Sequence, residues 1–189
     1  GPYGSTGDGT ENPLGYWKFY ESGLDVTGDN DKEMLWNTLP AKGLTAEQAA
    51  AIMGNVHIES AGVNSRIVQG DVPISSYSTA YTDKVDSGLI SRDDFMFNGP
   101  NGGGYGFGQW TSPDRKGYLY EATRGRGKSI GDAQTQANFL LDEPGQETTV
   151  TNFKAQSSLA DATVYWMKKW ENPSDQGTKA QNERIKWAQ

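Results

Sequence analysis

Residues 44–60, "LTAEQAAAIMGNVHIES", decide the fold. Thr45 is placed to cap a helix, and Gln48, three residues on, completes a capping box. Ala49, Ile52, Met53 and Val56 recur at i, i+3, i+4 and i+7, the spacing of one buried helix face. Glu59 lies three residues after Val56 and seven after Ile52, so it continues the apolar stripe. A carboxyl there is partly desolvated, and desolvation disfavours its charged form. The partial negative charge of a helix C-terminus pushes the same way. Such an acid can hold a proton near neutral pH, as the general acid of glycoside hydrolysis must. A helix-end glutamate turned to solvent is the plain alternative.

Helical signals continue along the chain. Asp29 or Asn30 can cap "DKEMLWNTLPAKG", whose Met34, Leu35 and Leu39 share a face and which Gly43 ends. "SPDRKGYLYEATRG" predicts a helix with Ser112 as N-cap and Pro113 at its first position. "GDAQTQANFLLDE", "SLADATVYWMKKWE" and "DQGTKAQNERIKWAQ" predict three more, the first with Ala133, Ala137 and Leu140 on one face. Between Ala61 and Gly104 the pattern weakens into a loop-rich lobe. There "SRIVQG" and "STAYTDKV" suggest short strands, and Ser91 can cap a helical turn "SRDDFMF". Residues 1–29 begin with a Gly-, Ser-, Asn- and Pro-rich linker. Its "GP" start suggests a protease-cleavage scar, and hence a part of a larger protein. The aromatic "YWKFYESGLDV" follows, placed to pack on the domain. Residues 30–189 are expected to form one domain.

Composition narrows the chemistry. The 189 residues include no cysteine and one histidine, His57. Disulfides and thiol chemistry are excluded, a multi-histidine zinc site cannot be built, and neither metal nor organic cofactor is expected. His57 lies two residues before Glu59 and points to another side of the helix, as a packing or surface residue. The net charge of −7 argues against nucleic acid as a partner. No apolar run approaches a membrane span. Six Trp, nine Tyr and six Phe suit a core, or a groove that stacks sugars.

The second chemical feature is "NGPNGGGYGFGQW", six glycines in thirteen residues. Glycine lets a backbone approach a ligand closely. Tyr105, Phe107 and Trp110 offer flat faces, and Gln109 offers both donor and acceptor. A flexible turn with its aromatics in the core is the other reading. Glu171 in "WENPS" can pair with Arg184, which reads as a structural tie between the last two helices. Trp166 and Trp170, four residues apart, read as core.

Taken in order, "GLTAEQAAAIMGNVHIES", "GYGFGQWTSPDRKGYLYEA", "QTQANFLLDE", "WENPS" and "ERIKWA" resemble the phage tail-type lysozyme family, over roughly residues 30–189. The resemblance implies a mainly α, lysozyme-like fold, with a helical lobe and a small loop- or β-rich lobe flanking a substrate groove. It implies cleavage of peptidoglycan glycan strands, with Glu59 as the catalytic acid and Ser60 binding substrate beside it. Tyr105, Gln109 and Trp110 would line the groove opposite. A second carboxylate is sought among Asp71, Asp83, Asp86, Asp93 and Asp94, with Asp71 first. A muramidase is the leading expectation. A lytic transglycosylase, which needs no second carboxylate, an N-acetylglucosaminidase and an inactive wall-binding module are the alternatives. The expected setting is a phage tail or the cell exterior, within a multidomain protein that supplies wall targeting the acidic domain lacks.

Overall fold

The computed structural model describes residues 31–189. The expected linker, the aromatic segment after it and the cap at Asp29 or Asn30 lie outside the described residues. Helix α1 (Asp31–Ala41) buries Met34, Leu35 and Leu39 as its periodicity requires, and Gly43 follows at φ +91°. Helix α2 (Ala46–Glu59) starts at the capping box: the Thr45 hydroxyl accepts from the Gln48 amide, and the Gln48 side chain accepts from the Thr45 amide. Ala49, Ile52, Met53 and Val56 are all buried.

The stretch from Ala61 to Gly104 corrects two expectations. "SRIVQG" contributes only an isolated bridge, Val68 with Tyr105, and "STAYTDKV" is helical, within α3 (Ser76–Ser87). Its buried residues, Ser78, Tyr81, Thr82 and Val85, have helical spacing. Two of the four are polar, which hid the stripe. Their hydroxyls are satisfied inside: Ser78 donates to Asp71, and Thr82 bonds the Tyr105 hydroxyl. Helix α4 (Arg92–Phe97) has Ser91 as its cap, as expected.

Helix α5 (Pro113–Thr123), capped by Ser112, and helix α6 (Ala133–Asp142), capped by Asp132, follow. A short helix that the sequence reading passed over, α7 (Glu147–Phe153), buries only Val150 and Phe153. Helix α8 (Leu159–Tyr165) runs on into a π-helical turn, Trp166–Glu171, and α9 (Thr178–Ala188) closes the chain. The protein is mainly helical. Helix α2 is packed by α1, α8 and α9. Trp166 and Trp170 are both buried and stack at 4.6 Å, so they are core, as expected.

One contact sets the geometry of the site. A Cβ on Gly54 of α2 would lie 2.4 Å from the Arg184 carbonyl oxygen and 2.8 Å from the Ala188 amide nitrogen. Glycine on α2, with Ala180 and Ala188 on the facing side of α9, lets the two backbones nearly touch. That approach carries Arg184 to the end of α2.

Candidate active site

Glu59 ends α2, and the chain then turns sharply. Ala61, Gly62 and Val63 all have positive φ, at 51°, 96° and 69°. A β-branched residue at φ +69° is a true backbone outlier, tolerated where the surroundings hold it. Asn64 does so: its side chain donates to the Ser60 and Ala61 carbonyls, and its amide donates to the Ser60 hydroxyl. Ser60 is fully buried, and its hydroxyl donates to the Val56 carbonyl. Its side chain therefore builds the turn and does not reach into the groove, where the resemblance had put it.

The Glu59 side chain is 23% exposed. It faces a cleft of about 680 Å³, also lined by Ile58, Gln69, Gln109, Arg115 and Glu171. Burial pushes the Glu59 carboxyl above its ordinary range, while the Arg184 guanidinium, 3.1 Å away, pulls it back. Arg184 also reaches Glu171, with Nε 3.2 Å from Oε1. Glu171 is 2% exposed, and its carboxyl is pushed well above the usual range, by burial first and then by the Glu59 charge. The expected Glu171–Arg184 pair is present, but it belongs to the cleft. Arg184 is a cation held between two acids, one of them Glu59, 125 residues away in the chain.

Of the three expected residues in the glycine-rich segment, only Gln109 borders the cleft. It sits at φ +46° and donates to the Gly106 and Ile67 carbonyls. Tyr105 and Trp110 are both buried. Tyr105 pairs with Trp110 through two backbone bonds of 3.1 Å, and its hydroxyl bonds Thr82. The Trp110 indole donates to buried Glu143, which also holds Arg115 in a two-bond pair. Both aromatics thus form the floor beneath the segment. The glycines serve the same packing: a Cβ on Gly108 would lie 2.5 Å from the Trp170 ring, and one on Gly106 2.6 Å from Gln136.

The aspartates after Glu59 are placed elsewhere. Asp71 accepts from the amides and hydroxyls of Ser75 and Ser78, which tie down the start of α3. Those bonds hold its carboxyl below the usual range. Asp86 accepts from Ser129 and the Ile130 amide, Asp94 from Asn98, and Asp83 and Asp93 are exposed on helices. None of the five lines the cleft that Glu59 faces. His57 stacks on Trp187 at 3.6 Å, a packing role at the surface, as expected. Among the described residues no cluster of His, Cys, Asp or Glu could hold a metal ion.

The mainly helical fold is consistent with a lysozyme-like class, and Glu59 ends a helix on an open cleft. The sequence matches the family described as phage tail lysozyme over residues 30–189, and the chain belongs to that family. It is thereby a lysozyme-like, peptidoglycan-degrading enzyme. No curated protein and no solved structure matches the chain.

Proposed function

We propose that the domain cleaves the glycan strands of peptidoglycan as a muramidase, with Glu59 as general acid. The carrying observation is the position of Glu59: largely desolvated, at the end of the buried helix α2, and open to a cleft of about 680 Å³. Glu59 protonates the glycosidic oxygen as the bond breaks. The carboxylate left behind faces the Arg184 cation, which stabilises it. Gln69 and Gln109, on the cleft wall, are suited to sugar hydroxyls.

A second reading has its own support. The other carboxyl lining the cleft among the described residues, Glu171, is bound to Arg184 and its side chain is almost wholly buried, so it is poorly placed to activate a water. A lytic transglycosylase needs no such base, because the substrate's own C6 hydroxyl attacks. Within a larger phage protein, other domains would carry wall targeting.

Digestion of purified peptidoglycan, with fragments weighed before and after borohydride reduction, decides between these. Reducible MurNAc ends are expected. Anhydro-MurNAc ends would move the assignment to transglycosylase, reducible GlcNAc ends to glucosaminidase, and no fragments would end the enzymatic reading. Glu59→Gln keeps the shape and is expected to lower cleavage at least a thousandfold, with an unchanged circular dichroism spectrum; full activity would show that the acid lies elsewhere.

A further inference from the structure

Glu59 and Glu171 meet at one guanidinium. Arg184 gives Nη2 to Glu59 and Nε to Glu171, at 3.1 and 3.2 Å. Four elements surround the pair, and their charges can be counted. Helix α2 brings Glu59, the π-helical turn brings Glu171, and α9 brings Arg184. Helix α5 brings Arg115, whose charge is met by Glu143 at 2.6 Å. Lys168 and Lys169 of the π-helical turn are exposed. Among the described residues, two acids therefore divide a single cation that no other acid engages. With both ionised, the site carries an unbalanced negative charge in a largely buried setting, which is costly. The pair relieves this by keeping a proton.

We propose that Glu171 is a positioning residue for Glu59: by occupying Nε of Arg184 it leaves one cation to two acids, and so keeps on the pair the proton that Glu59 delivers. This rests on the reading of Glu59 as the acid. On donation, the Glu59 O–H bond breaks and the O–H bond of the leaving sugar forms. The pair is then left with both carboxylates on Arg184, and it regains its proton from the attacking hydroxyl or water. Burial pushes both carboxyls upward, and the Glu59 charge adds to the shift of Glu171. Such pairs titrate as a unit, in two coupled steps.

Glu171→Gln tests it. Glutamine keeps the shape and still accepts from Arg184 Nε, but it cannot titrate. The alkaline limb of the cleavage pH profile is expected to fall by about one unit, the usual size of a like-charge effect between neighbouring carboxyls. The activity loss would then grow about tenfold between acid and neutral pH. A loss equal at every pH, or an unmoved limb, would overturn the proposal and leave Glu171 a packing residue. A second measurement needs no substrate: carboxyl carbon NMR of isotope-labelled glutamates, in wild type and in Glu59→Gln. The Glu171 step is expected at lower pH in Glu59→Gln, which lacks the neighbouring charge. The same midpoint in both would overturn the coupling. If the wild type leaves peptidoglycan uncut, the assignment of Glu59 fails by itself, and the NMR titration still decides whether the two acids are coupled.

Discussion

Tyr105 and Trp110 show how far a residue's type can mislead about its place. In sequence they are aromatics between glycines, the composition of a sugar-stacking loop. In the structure each is buried with its polar atom satisfied, Tyr105 by Thr82 and Trp110 by Glu143. An aromatic ring pairs as well with a core as with a sugar face, and spacing does not tell the two apart. Tyr105→Phe leaves the Thr82 hydroxyl without a partner. A loss of about 1–2 kcal/mol in unfolding free energy is expected, with KM for peptidoglycan unchanged. A raised KM at unchanged stability, measured by denaturant titration and steady-state cleavage, would return Tyr105 to the groove. The place of Glu59, at the largely buried end of α2, was legible because its reading used position within a helix as well as residue type. The place of Asp71 was not: an aspartate twelve residues past Glu59 looks the same in sequence whether it ties down a helix start or activates a water.

At the scale of elements, the helices were readable where caps and apolar periodicity agreed. Thr45 with Gln48, and Ser112 with Pro113, mark starts that the structure keeps. Helix α3 failed this test because its buried stripe is half Ser and Thr, residues that count as polar until their hydrogen-bond partners are known. Helix α7 failed because two buried residues in seven make too short a stripe to read. The most consequential element contact, α2 against α9, is recorded in the sequence only as a glycine inside a helix. Gly54→Ala would force the helices apart by some tenths of an ångström or more, since the atoms it meets are backbone. It is expected to cost about 2 kcal/mol or more by overpacking. It should also weaken cleavage more than its stability loss explains, because Arg184 moves away from Glu59 and Glu171. Thermal unfolding and a cleavage assay well below Tm check this; wild-type activity in Gly54→Ala would show that the placement of Arg184 tolerates movement of α9.

At the scale of the whole molecule, the buried acids link stability to pH. Glu171 in the folded chain holds its proton well above the ordinary 4.5 of a free glutamate. The folded state therefore binds more protons than the unfolded chain above that pH. Its contribution is full below pH 4.5 and is lost as pH rises through the folded value. Glu171→Gln, neutral throughout, is expected to gain on the wild type in Tm as pH rises from 4.5. The gain should be about 2–4 °C for each kcal/mol of difference, and a constant gap across pH would show that Glu171 does not hold its proton in the fold. The sequence by itself determined the helical class, the caps, the burial of the α2 stripe and the desolvated end of that stripe at Glu59, because these depend on residues a few positions apart. Only the tertiary structure decided what faces that acid. The partners of Glu59 are Arg184 and, through it, Glu171, brought together by the packing of α9 and the π-helical turn on α2. No local pattern records a contact between residues so distant in the chain, since it is set by how closely two helices can approach.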